Sequence, residues 1–63
     1  MSIGENIKQK REAANLTQKE LAEKLGITQS MIAQLERGTK TLTVPLGQEI
    51  ANILSCKLSD LTA

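Results

Sequence analysis

Gln29, Ser30, Ala33 and Gln34 recur along one side of the segment TQSMIAQLERG, at a spacing that an α-helix turns to a single face. They supply two amides, a hydroxyl and a methyl, and no charge. A helix face that serves only solubility usually carries Lys and Glu. Amides and hydroxyls instead offer paired donors and acceptors. Gln can pair bidentately with adenine N6 and N7, Ser can meet a donor or an acceptor, and an Ala methyl can touch the thymine methyl. The chemistry open to this face is therefore recognition of neutral polar edges by hydrogen bonding, as on DNA bases. Without a supporting framework the same residues would be an ordinary solvated face, so the elements around them decide.

The framework is a run of short helices with local start and stop signals. Ser2 with Glu5 is a capping box that opens a helix over about 3–14, with Ile3, Ile7 and Ala14 as its apolar positions. Thr17 with Glu20 is a second box, opening a helix over 18–25 that Gly26 ends in the left-handed conformation. Thr28 caps a third helix over 29–36, with Met31, Ile32 and Leu35 inward and Gly38 closing it. Thr43 caps a fourth over 44–54, with Pro45 in its first turn. Its apolar face is Leu46, Ile50, Ile53 and Leu54, and Gly47 is expected to weaken it. Ser59 is the expected cap of a last turn over 59–62, with Cys56, Leu58 and Leu61 folding back on the core. The fold class is all-α: one domain of five short helices spanning residues 1–63.

Composition bounds the function. A chain of 63 residues with one cysteine, no His and no aromatic residue must hold together on aliphatic packing. At this length only roughly 60% of the unfolded surface is buried, so modest stability is expected. No metal site and no cofactor are implied, because ligand-type clusters are missing. Lacking rings on which to stack bases, the chain does not look like a reader of single strands or RNA. An enzyme is a poor reading: there is no His, Cys56 falls in an expected core segment, and no carboxylate pair marks a cleft. No run has the length of a membrane span and no signal-peptide pattern is present, so the expected compartment is the cytoplasm. The net charge of +1 counts weakly against a nucleic-acid partner, since such binders usually carry a clear basic excess. The charges are lopsided, however: Arg37 and Lys40 flank the third helix, whereas Glu5, Glu49 and Asp60 lie elsewhere.

The second and third helices together meet the demands of a helix-turn-helix. Ala22 is small where the next helix crosses, Gly26 serves the tight turn, and Leu21, Leu25, Ile27, Ile32 and Leu35 are apolar where the pair must grip the domain. The stretch LTQKELAEKLGITQSMIAQLERG resembles the helix-turn-helix of the lambda-repressor and Cro-like group of bacterial and phage regulators. The resemblance extends to IKQKREAAN before it and IANILSCKLSDL after it, and so covers nearly the whole chain.

This resemblance implies a five-helix domain whose third helix enters the major groove of a double-stranded DNA operator, the docking known for that group. Gln29, Ser30, Ala33 and Gln34 would then read bases. Thr17, Gln18, Arg11, Arg37, Thr39, Lys40 and Thr41 would position the phosphate backbone, with weaker help from Lys10 and Lys19. Arg11 and Glu36 match a paired Arg and Glu that orients the third helix, and Ala22, Gly26 and Ile32 keep the motif in shape. Weak homodimerisation off DNA is expected, cooperative on a near-palindromic operator, with contacts at Leu42, Ser55, Lys57 and Leu58. Three positions depart from the group: Gly47 where an apolar residue is common, Ser55 where Gly often ends the fourth helix, and only two residues ahead of the first helix. An alternative reading is a protein-interaction module on the same fold, such as the antitoxin of a toxin–antitoxin pair.

Overall fold

The computed structural model describes residues 2–63. Each helix starts where a side chain takes up a backbone N–H that has no intrahelical partner. Ser2 and Glu5 form a complete capping box around α1 (Ile3–Ala13), with Glu5 N donating to Ser2 Oγ at 3.2 Å and Ser2 N to Glu5 Oε1 at 3.2 Å. Thr17 and Glu20 do the same for α2 (Gln18–Leu25), at 3.0 and 2.8 Å. Thr28 Oγ1 accepts from Met31 N at the start of α3 (Gln29–Arg37), and Thr43 Oγ1 accepts from Leu46 N at the start of α4 (Val44–Ile53). The last helix, α5 (Leu58–Thr62), begins two residues earlier than Ser59 would allow as a cap. Lys57 holds the extended cap position, and the Asp60 carboxylate accepts its N–H at 2.9 Å. The side chain that closes this turn thus comes from inside the helix, and Ser59 sits within it.

Four helix ends close in one way. The N–H groups of Leu16, Ile27, Thr39 and Cys56 reach back to the carbonyls of Arg11, Ala22, Gln34 and Ala51 at 2.9–3.1 Å. This closure needs a left-handed residue just before the donor. Gly26 and Gly38 serve at two ends, while Asn15 (φ 58°) and Ser55 (φ 56°) take the same conformation at the others. The turn after α4 is therefore as tight as those closed by glycine, although Ser55 stands where Gly was the expected residue.

The core is aliphatic throughout, and every helix contributes to it. Ile7, Leu21, Ile32, Ile50 and Leu61 are fully buried, joined by Ala22, Leu35, Ala51 and Leu54. The first helix packs on α3 and α5, the second on α3 and α4, and α4 on α5. Two expectations for α1 need correction. Ile3 is 40% exposed and Ala14 is exposed. The inward face is Gly4, Ile7 and Arg11 instead, with Asn6 beside it. The buried Asn6 amide donates to the carbonyl oxygens of Leu61 (2.9 Å) and Ala63 (3.0 Å), tying α1 to the C-terminal helix. Among the described residues no buried side-chain nitrogen or oxygen lacks a partner. No helix among them is long and apolar enough to cross a membrane.

Gly47 also plays a different part from the one expected. It is buried, and a β-carbon placed there would lie 2.8 Å from Leu58 Cδ1 and 3.1 Å from Leu42 Cδ2. What costs helix propensity makes a notch into which two leucines fold. Cys56 is half-buried against the core, and burial pushes its thiol above the ordinary range, away from thiolate chemistry.

Two predictions follow from the helix ends. Ser55→Gly removes the steric penalty of a left-handed serine on an exposed turn and should stabilise the domain by about 1 kcal/mol, read by urea unfolding. The Glu20 carboxyl lies below its ordinary range, held there first by the backbone N–H of Thr17 and then by its hydroxyl. A carboxyl lowered by folding adds stability above its unfolded range and loses it as the pH falls through the folded value. The melting-temperature deficit of Glu20→Ala should therefore be widest at neutral pH and narrow steadily towards pH 3.

Candidate nucleic-acid interface

A buried ion pair fixes α3 to the two helices before it. Arg11 Nε donates to Glu36 Oε2 at 2.6 Å and Nη2 to Glu36 Oε1 at 3.2 Å. Their side chains are 9% and 5% exposed. Arg11 Nη1 donates to the Leu16 carbonyl at 2.8 Å, reaching the turn between α1 and α2. Gln18, in the first turn of α2, donates its amide to Glu36 Oε1 at 3.0 Å. One carboxylate thus receives an arginine from α1 and an amide from α2. The Glu36 hydrogen bonds raise the Arg11 pKa against the opposing effect of burial, so the guanidinium keeps its charge.

With α3 fixed in this way, Gln29 and Ser30 are exposed in its first turn. Ala33 and Gln34 follow along the helix and are half-buried, while Ile32 and Leu35 face the core. Met31 is half-buried. Arg37 is exposed in the last turn, and beyond the closing Gly38 the residues Thr39, Lys40 and Thr41 are all exposed. The Thr39 hydroxyl donates to the Gln34 carbonyl at 3.3 Å, which ties this loop to the helix. At the mouth of α2, Thr17 and Glu20 consume each other's N–H groups. The N–H groups of Gln18 and Lys19 remain at the positive end of the helix dipole, where an anion is favoured.

Some expected site residues sit differently in the structure. Arg11, expected to offer part of its guanidinium to a phosphate, is only 7% exposed and donates inward through three nitrogens. Gln18 is half-buried and engaged with Glu36. Ser55 and Lys57 are exposed, but Leu42 and Leu58, expected at a dimer contact, are half-buried over the Gly47 notch. The large apolar side chain that does stand out is Val44, 70% exposed at the first position of α4. Nothing in the sequence marks it, because it precedes Pro45 in the first turn and the apolar spacing of α4 begins only at Leu46. Among the described residues no group of three or more His, Cys, Asp or Glu side chains could hold a metal ion.

These features define a helix-turn-helix domain with a solvent-facing second helix of the motif. The helix-turn-helix family model matches residues 7–61. The chain is 34% identical over 55 residues to an uncharacterized HTH-type transcriptional regulator of Archaeoglobus fulgidus, covering 87% of this chain and 78% of that protein. The chain belongs to the helix-turn-helix family, in its lambda-repressor and Cro-like form. Among solved structures it is similar to SinR, the master regulator for biofilm formation, in complex with DNA: TM-score 0.87, 28% identity, covering 94% of this chain and 95% of that one. The clp gene regulator ClgR from Corynebacterium glutamicum superposes with a TM-score of 0.88 at 25% identity; this chain, 94% covered, spans 63% of its length. The P22 c2 repressor, bound to a synthetic operator, shares the fold with a TM-score of 0.91 at 22% identity, over 98% of this chain and 94% of that one.

Glu36→Ala should leave a buried, unpaired guanidinium and cost about 3 kcal/mol of stability in urea unfolding. Replacing both partners with apolar side chains, Arg11→Met with Glu36→Leu, should cost less than that single change. A Glu36→Ala deficit under 1 kcal/mol would mean that the pair behaves as an exposed one.

Proposed function

We propose that the domain binds a double-stranded DNA operator in a sequence-specific manner through α3 and acts as a transcriptional repressor. The observation that carries this reading is the pairing of an exposed, uncharged hydrogen-bonding face with a buried clamp. Gln29 and Ser30 stand free at the start of a helix whose other end is locked through Glu36 to α1 and α2. Base reading needs that combination, because donors and acceptors discriminate bases only when they are held in register.

In this reading Gln29, Ser30, Ala33 and Gln34 meet base edges in the major groove. Arg37, Lys40 and the hydroxyls and N–H groups of Thr39 and Thr41 engage phosphates on one side. Thr17 and the α2 mouth, with the remaining N–H of the Gln18 amide, engage them on the other. Arg11 acts through the clamp rather than by direct contact, since its guanidinium is spent inside the protein. Two copies sit on a near-palindromic site with half-sites about one helical turn apart. Their contact involves the exposed Ser55, Lys57 and Val44 together with the half-buried Leu42 and Leu58. The relatives named above are regulators and repressors, which favours this reading over that of an interaction module.

Selection from random duplex DNA should enrich a two-fold symmetric sequence; no enrichment at low salt would sink the proposal. On the selected site, Gln29→Ala should cost about 1–3 kcal/mol and relax preference at one base position. Arg37→Ala should instead weaken binding evenly across sequences and reduce the salt slope by about one. Identical profiles for the two variants would refute the division of roles.

A further inference from the structure

We infer that Gly4 is a positioning residue for DNA recognition: its missing side chain sets how close α3 lies to α1, and so where Gln29 and Ser30 stand against the bases. The inference rests on the proposal that α3 reads DNA. Gly4 lies in the first turn of α1, on the same inward face as Ile7 and Arg11, and is buried. A β-carbon there would overlap the Glu36 carbonyl oxygen, and would lie 2.7 Å from the Leu35 carbonyl oxygen and 2.8 Å from the Glu36 carbonyl carbon. All three are backbone atoms. They cannot rotate aside, as the methyl groups of Leu58 and Leu42 facing Gly47 can. Ordinary contact begins near 3.4 Å, so any side chain at Gly4 must move the end of α3 by about 0.7 Å or more.

The contact falls on the residues that hold α3 in place. Glu36 receives Arg11 and Gln18 through its side chain, and its backbone meets Gly4. Two points on α1, two turns apart, thus fix one end of α3: a charged clamp at Arg11 and a bare backbone approach at Gly4. The α-proton of Gly4 that a side chain would replace points at the two carbonyl oxygens, the weak C–H···O contact that recurs between close helices. From Glu36 back to Gln29 is about 10 Å along the helix, a stiff element that carries a displacement of its end to its start. A shift of about 0.7 Å takes a typical base hydrogen bond out of its range. Long, exposed side chains such as Arg37 and Lys40 can follow a phosphate over the same distance. The variant should therefore lose discrimination rather than general affinity.

The test measures Gly4→Ala and the wild-type protein on the selected operator and on a scrambled duplex. Ile50→Val serves as a core-weakened control, and all three are kept at a temperature where circular dichroism shows each folded. Gly4→Ala should lose ten-fold or more on the operator while staying within about three-fold on the scrambled duplex, and Ile50→Val should keep the wild-type ratio. An unchanged ratio in Gly4→Ala, or an equal loss in Ile50→Val, overturns the inference and leaves the DNA reading intact. Should the wild-type protein select no operator, the DNA reading falls first and this inference with it. If Gly4→Ala does not fold, the wild-type protein decides by NMR. Nuclear Overhauser contacts between the Gly4 α-protons and the backbone of Glu36 and Arg37 should persist undiminished in the operator complex. Their loss on binding would show that α3 reads from a position that Gly4 does not set.

Discussion

The Glu36 carboxylate is the point through which the first three helices are joined. It takes Arg11 from α1 and Gln18 from α2 while being itself part of α3. Such a group is costly to bury and is sustained only when its partners satisfy it. Here both of its oxygens are occupied, and the arginine spends its remaining reach on the carbonyl of Leu16. An aliphatic core resists separation of the helices but tolerates small rotations and slides, because hydrophobic packing has no preferred direction. Hydrogen bonds to a planar guanidinium do have one. The division of labour is then clear: Ile7, Leu21, Ile32, Ile50 and Leu61 hold the helices together, and the ion pair decides how α3 is turned.

Much of the fold could be read from the sequence because its signals are local. A threonine or serine followed three residues later by glutamate needs only its own turn to form the box, and Gly26 and Gly38 need only their own φ. The core positions of α2 and α3 followed from spacing, since Leu21, Ala22, Ile32 and Leu35 face one another within a single motif. Lys57 escaped notice as a cap because a lysine side chain has no acceptor; the acceptor is Asp60, three residues on.

The features that sequence reasoning missed depend on distant partners. Gly4 carries no signal of its own in the sequence, because what requires it is the backbone at the far end of α3. Asn6 has no local sequence signal for burial either, because its partners are the carbonyls of Leu61 and Ala63, more than fifty residues away. Taking Ile3 as a core residue turned the face of α1 by one position, because a glycine carries no hydrophobic signal with which to compete. Gly47 was legible as a cost but not as a notch, since Leu42 and Leu58 converge on it from two sides of α4. At the candidate interface the residue types were legible and their availability was not. Burial removed Arg11 from the surface and drew the Gln18 amide towards Glu36.

The exposure of Gln29 and Ser30 has an evolutionary consequence. Neither side chain caps a helix, fills the core or joins the clamp. Exchanges at such positions usually leave stability nearly untouched. Small domains have little stability to lose, so a lineage can explore only those changes that spare the scaffold. Here the side chains proposed to choose a sequence are those the scaffold can best spare. A chain built in this way can drift from one operator to another through viable intermediates. The parts that hold it together need not change on the way.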